Sequence, residues 1–549
     1  MSDAAATPGT FSPLKGPTFR YIWIGTTLSH AGGLIQAVGA AWIMTSIATA
    51  DYVAMVQTAT FLPMALLALP AGAIADIYDR RRVQLLFFTL GLFATALLIA
   101  VGIQGLLTPW LLLGLCALVG ATGALASPAR GASVAEQVPS EQLPQAIALN
   151  NISYNLARTV GPALGGMLVA VYGGVSAFIV NAFCYLPVLE SLRRWQRVGE
   201  ESRLPPEGLL RSISAGVAYI ANMRPVRRAV LRALVSSMCA AVLHALMPLI
   251  ARDLLGGDAR TFGVLLGAYG VGAVTGVLLL QRVRQHFRNE TTVASMCLMV
   301  ALTLVVIAFS RNLWIDLAAL FVAGAATMIM HTTISITVQL FVPRWVMGRA
   351  IATSSAASSL GIAAGAWLWG QLAMSQGLVV TFLTGAVVLV ASIALGWIIP
   401  IADRDQSTES DPNVLEDPDI QLAINGRSGP ITVELEYRIP PDRARDFYKI
   451  MREIQKSRLR AGAYGWSISR DLADEEVWCE RFRCPTWHDY LRTRSRRTRE
   501  DSELFERART MHIGLEPVRV QRWLDRPFGS VRWQESTPDR GDVPLPVNN

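Results

Sequence analysis

Lysine is almost missing from this chain. Three of its 49 basic residues are lysine (Lys15, Lys449, Lys456) and the rest are arginine. The bias fits a GC-rich genome and carries no functional reading. Acids are scarce where the chain is oiliest: Asp51, Glu190 and Asp316 lie near the ends of apolar runs, and the centres of those runs hold almost none. Six cysteines are scattered. Cys116, Cys184, Cys239 and Cys297 fall in apolar runs as small hydrophobes, and Cys479 and Cys484 stand five apart in a polar region. No zinc or redox spacing appears, so neither a disulfide framework, a metal site nor a cofactor is expected. The first seventeen residues hold one basic residue and no short apolar core, so the first apolar run is expected to direct insertion itself.

What is there is long apolar runs. Of 549 residues 52% are hydrophobic, with mean hydropathy +0.37. The average conceals a division: residues 19–400 are oily, and residues 401–549 are polar and charged. Runs of 18 or more apolar residues read as membrane helices. Twelve are expected, at 19–46, 51–71, 83–104, 109–128, 146–170, 172–192, 229–251, 261–281, 291–309, 314–340, 349–370 and 378–399. Arginine and lysine orient them. With the N-terminus inside, nineteen basic residues flank the cytoplasmic ends, Arg80, Arg81, Arg82, Arg130 and Arg349 among them, against Arg252, Arg260 and Arg311 outside. Both termini are therefore expected in the cytoplasm. The net charge of +8 points to anionic lipid rather than nucleic acid, since the basic residues adjoin the spans.

The two halves of the oily region repeat. "VPSEQLPQAIALNN" from Val138 and "VPRWVMGRAIATSS" from Val342 share Val-Pro and Ala-Ile-Ala at an offset of 204. "GPALGG" at 161–166 faces "GIAAGA" at 361–366 at an offset of 200. Two six-span halves related in this way place a substrate site between them.

One short loop is densely charged. "GAIADIYDRRR" runs from Gly72 to Arg82 between two apolar runs. Gly72 offers a close helix approach, Asp76 can pair with a base or cap a helix, and Arg80–Arg82 can reach lipid phosphates or helix C-termini. Alternatively the arginines only fix topology. Gly161, Pro162, Gly165 and Gly166 put small residues and a proline on one stretch of the fifth span, suited to close packing and a local bend.

With these residues in view, the chain resembles the major facilitator superfamily. Gly72, Asp76, Arg80 and Arg81 match its signature between spans two and three, with Asp79 where glycine is usual. "GPALGG" resembles the span-five signature of the antiporter branch, though Ala148 and Ala157 replace upstream glycines. "SPARGASVAEQVP" and "NLARTVGPALGG", with a polar C-terminal domain, resemble the branch of enterobactin-type siderophore exporters and transmembrane secretion effectors, over roughly residues 11–525. The resemblance implies that the charged loop latches the halves in the outward-open state. It also implies that spans one, four, seven and ten line the cavity, and His30, Gln36, His244 and His331 lie in those spans. Histidine could carry an exchanged proton. Asn155 and Arg158 of span five are further substrate or ion candidates.

The expected organisation is a cytoplasmic segment 1–18, a six-helix bundle 19–194, an inter-bundle loop 195–228 holding an interfacial helix, and a second bundle 229–400. A flexible linker 401–429 leads to a cytosolic domain 430–525 and a disordered tail 526–549. "ITVELEYRI" reads as a strand, "PPDRARDFYKIMREIQKSRLRAG" as a helix, two further runs as a hairpin, 486–512 as a long basic helix, and "VRVQRWL" as a closing strand. That βαββαβ order is ferredoxin-like and resembles the small dimeric α/β barrels, which implies a homodimer through this domain. The expectation is an all-α polytopic membrane protein with an α+β appendage: a proton-coupled exporter of a siderophore-like or amphipathic small molecule in the bacterial inner membrane. A lysophospholipid flippase is the alternative within the class. A membrane-tethered enzyme with the appendage as a monooxygenase-like catalyst is the alternative outside it.

Overall fold

The computed structural model describes residues 11–196, 223–342, 347–401, 420–422, 424, 426, 428–495 and 499–525. The chain divides into two compact units, one helical and one holding the C-terminal α/β domain. The inter-bundle helix, most of the linker and the last 24 residues lie outside the described residues.

The helical unit is built from α1 (Pro17–Ile47), α2 (Ala50–Ile77), α3 (Arg80–Ile103), α4 (Pro109–Ser133), α5 (Leu143–Tyr172) and α6 (Gly174–Arg194). After the inter-bundle loop come α7 (Arg224–Leu249), α8 (Ala259–His286), α9 (Asn289–Phe309), α10 (Leu313–Leu340) and α11 (Met347–Ile393). Among the described residues nine helices are long and apolar enough to cross a membrane. The connections are short because capping chemistry ends and restarts each helix. Proline occupies the first turn of α1 and α4, where its missing N–H costs nothing. Asp258 caps α8, its carboxylate accepting from the Arg260 and Thr261 N–H groups.

Two glycines make the same sharp corner. Gly173 (φ 79°, ψ 166°) separates α5 from α6, and Gly377 (φ 80°, ψ 168°) breaks the 47-residue α11 at the equivalent point. They stand 204 residues apart, and only glycine holds that backbone without strain. Packing repeats as well. A Cβ added to Gly161 or Gly165 would press on Leu34 and Val38 of α1, and one added to Gly361 or Gly365 on Leu234 and Met238 of α7. Both contacts of the first half recur in the second at an offset of 200. Small residues therefore let α5 lie against α1, and α11 against α7, at backbone distance.

In the second unit four strands form one antiparallel sheet, β1 (Ile431–Arg438), β2 (Tyr464–Arg470), β3 (Val477–Cys484) and β4 (Arg519–Leu524), in the order β2-β3-β1-β4. Ile431 opposes both Cys484 and Leu524. Helix α12 (Ala444–Arg460) buries Phe447, Met451 and Ile454, at helical spacing, with Phe482 and Tyr437 in one core. The expected long basic helix is two pieces, α13 (Trp487–Ser495) and α14 (Arg499–Thr510), with 496–498 outside the described residues.

Candidate functional site

The charged loop is a knot of helix caps. Helix α2 runs on to Ile77, so Asp76 belongs to its last turn; the Asp76 side chain lies outside the described residues. Asp79 is the N-cap of α3, its Oδ1 accepting from the Arg82 N–H at 2.8 Å. Pairing with a base or capping a helix was the expectation for Asp76; the cap of α3 is Asp79. Arg80 Nη1 donates to Glu136 Oε1 at 2.9 Å and to the Ala132 carbonyl at 3.0 Å, at the end of α4. Arg81 donates to the Leu192 and Arg193 carbonyls, both at 2.7 Å, at the end of α6. Both arginines thus serve carbonyls that α4 and α6 cannot satisfy internally, where the helix dipole also favours positive charge. These contacts stay within the first half. Arg81 does more than fix topology. Among the described residues no atom comes within 4 Å of a Cβ built on Gly72.

The second half has its own clasp. Arg232 Nη2 meets Glu290 Oε1 at 2.9 Å and its Nη1 donates to the Ser392 carbonyl at 3.0 Å, while Glu290 Oε2 accepts from the Ile401 N–H at 3.0 Å. One buried arginine and one glutamate so join α7, α9 and the end of α11. Nothing in the local sequence marks this set, since its contacts join residues 58 to 160 apart.

The halves touch each other at their arginine-poor ends. Gly166 of α5 and Gly263 of α8 meet backbone to backbone, leaving no room for a Cβ on either. Trp42 stacks on Phe262 with ring centroids 6.2 Å apart. Arg252 donates to the Thr45 carbonyl and pairs with Asp253. Thr58 Oγ1 donates to the Ala363 carbonyl at 2.8 Å.

Between α1 and α5 a ladder of polar contacts leads inward. Trp23 Nε1 donates to the Leu149 carbonyl at 3.0 Å, Thr27 and Ser153 hydroxyls share a hydrogen bond of 2.6 Å, and His30 meets Tyr154 edge to face at 5.2 Å. His244 of α7 meets Tyr269 of α8 at 4.6 Å, and His331 is half-buried in α10. Gln36 does not join this set. It is buried, its Oε1 accepting from Asn181 Nδ2 at 2.6 Å and Thr95 Oγ1 at 3.2 Å, so it ties α1 to α3 and α6 as a packing group. Asn155 and Arg158 sit on α5 with side chains outside the described residues, and Pro162 leaves the Arg158 carbonyl without its helical donor. Sequence reasoning missed Arg130, which it placed in a loop; α4 carries it within the helix, where its charge is felt at His30, Tyr154 and Tyr185.

Comparison with known proteins fits this geometry. The profile of the family described as transmembrane secretion effector matches residues 8–528. The chain belongs to that family of major facilitator transporters. The staphyloferrin A transporter of Staphylococcus aureus is 24% identical over 271 residues, 49% of this chain and 68% of that protein. The multidrug efflux pump Tap of Mycobacterium tuberculosis is 25% identical over 410 residues, 72% of this chain and 97% of that one. The fold matches the inward-facing, unoccupied structure of a bacterial homologue of the human lysosomal transporter Spinster, with TM-score 0.54 and 14% identity over 70% of this chain and 96% of that one. This transporter is therefore a multi-pass membrane protein built for small molecules.

The α/β domain of the transporter encloses a buried ion pair. Arg458 donates to Glu480 at 3.0 and 3.3 Å, lies between the rings of Phe482 (4.3 Å) and Phe505 (4.5 Å), and shares Glu480 with Trp466 Nε1 at 3.1 Å. Burial opposes the Arg458 charge, but Glu480 outweighs it and holds the guanidinium above its ordinary value. Burial pushes the Cys484 thiol up to about 11, leaving it inert at neutral pH.

Proposed function

We propose that this transporter exports a siderophore-like or amphipathic small molecule across the bacterial inner membrane, driven by proton exchange. The repeated packing of α5 on α1 and of α11 on α7 carries the reading. Two equivalent bundles, joined at one end, are the machinery of alternating access. Twelve crossings follow if α1 and α5 are added to the nine apolar helices and the long α11 stretch counts twice about Gly377. The arginine bias puts both termini in the cytoplasm. The closed, arginine-poor ends then face outward, and the structure corresponds to an inward-facing state. Relatives named as a staphyloferrin transporter and a multidrug efflux pump support export of metabolites or drugs.

In this reading Asp76 supplies the contact that exists in one state and breaks in the other, while Arg80 and Arg81 hold the loop in place for it. His30, His244 and His331 carry the proton, since acids are scarce in the span centres. The C-terminal domain is ferredoxin-like by its strand order and regulates or dimerises the transporter, and anionic lipid neutralises the basic cytoplasmic edge.

Inverted membrane vesicles test the proposal, with ethidium and siderophores as probes. Uptake should require an acid-inside pH gradient and lose that dependence in the triple variant His30→Gln, His244→Gln, His331→Gln. Uptake equal to that of vesicles without the protein would contradict export. Gradient-driven uptake unchanged in the triple variant would contradict the histidine assignment.

A further inference from the structure

Several of the arginines drawn into this protein have partners. Among the described residues Arg80 meets Glu136, Arg232 meets Glu290, and Arg458 meets Glu480, while Arg81 holds two carbonyls. Arg130 donates no hydrogen bond and meets no carboxylate. It lies in the last turn of α4 and is only half-exposed.

A basic residue at the end of a helix ordinarily serves the terminal carbonyls. That role is taken here. Arg80 donates to the Ala132 carbonyl, and Ser133 Oγ donates to the carbonyl of Arg130 itself. A helical side chain also leans toward its helix N-terminus. The stem of Arg130 therefore carries the guanidinium away from the arginine-rich end and along the helix. There its electrostatic neighbours are His30 of α1, Tyr154 of α5 and Tyr185 of α6. His30 and Tyr154 are the innermost rung of the polar ladder between α1 and α5. The cluster holds a permanent cation, an imidazole and two phenols, and no described acid balances it. A half-buried guanidinium with no carboxylate to meet it favours an anion from elsewhere.

We propose that Arg130, with His30 and Tyr154, binds an anionic group of the transported molecule, a carboxylate or an oxyanion of like geometry. The inference rests on the transporter reading and narrows its substrate class to organic anions. The planar fork of Arg130 suits a two-oxygen group, held bidentately, and the Tyr154 hydroxyl can add a third hydrogen bond. The bound group would complete the charge that the protein leaves open.

Calorimetry on the full-length protein in nanodiscs of phosphatidylcholine alone tests this, with citrate and 2,3-dihydroxybenzoate as probes. The neutral bilayer removes competing lipid phosphate. The wild type should bind at least one probe; Arg130→Gln should weaken that binding by about tenfold or more, and Arg130→Lys by less. Addition of phosphatidylglycerol should leave the affinity unchanged; loss of binding there would assign the site to lipid headgroups and overturn the proposal. Failure of the wild type to bind either probe, or equal affinity in a monodisperse Arg130→Gln variant, would also overturn it. Wild-type proteoliposomes assayed for transport of ethidium and of both anions keep the two readings apart. Transport of any of the three without anion binding removes only the anion site, and anion binding with no transport of any of the three removes the transporter reading and leaves Arg130 a binding site alone.

Discussion

Asp79 stands where the superfamily's loop signature carries glycine, and its carboxylate starts α3. An N-cap is worth about 1 kcal/mol, and asparagine caps nearly as well as aspartate. Asp79→Ala should therefore lower the thermal midpoint of the purified protein by a few degrees, while Asp79→Asn leaves it almost unchanged. Asp76→Asn should act differently. If its charge makes a contact worth roughly 1.5–3 kcal/mol in one state alone, the balance between states should move about ten- to a hundredfold. Cysteine accessibility from each side of the membrane reads that shift. The same pattern in Asp76→Asn and wild type would reduce the stretch to a charged turn that fixes topology. The difference between these two aspartates was not legible in the sequence, because it depends on where α2 ends. The apolar run stops at residue 71, but the helix continues to Ile77 and carries Asp76 with it.

At the scale of helices nine spans were legible among the described residues, because length and oiliness alone determine what can cross hydrocarbon. The repeat was legible too, since small residues recur where backbones must touch. What was lost concerns faces and ends. Gln36 in an apolar span reads as a cavity group, but its face turns to α3 and α6, where Thr95 and Asn181 satisfy it. Pro128 reads as the end of the fourth span, but proline is tolerated within membrane helices and α4 runs on to Ser133, drawing Arg130 inward. The partners of Arg80 and Arg81 lie 52 to 112 residues away, beyond any local pattern. The contact of Gly166 with Gly263 makes a sharp prediction. Gly263→Leu inserts a side chain where two backbones meet. Overpacking of about 1–3 kcal/mol would hold α5 and α8 apart and disfavour the closed state roughly ten- to a hundredfold. Residues at the arginine-poor ends should become reactive to external thiol reagents in a cysteine background. Unchanged reactivity, with normal membrane insertion, would mean that this contact does not govern closure.

For the whole molecule, the helical unit contains the repeat and the contacts between halves, and the α/β domain has a separate core sealed by Arg458 and Glu480. A protein ending near residue 402 should insert, bind and transport, with altered regulation. A well-folded truncated protein that transports nothing would make the domain part of the carrier. The central claim is that the halves part and rejoin at their arginine-poor ends in every cycle. Trp42 and Phe262, stacked 6.2 Å apart across that contact, offer the direct test. Cysteines replace both residues in a protein stripped of its own six, and transport is measured in proteoliposomes before cross-linking, after it, and after reduction. The account predicts transport before, arrest while the link is in place, and recovery once it is cut. Full-rate transport by the cross-linked protein would contradict it.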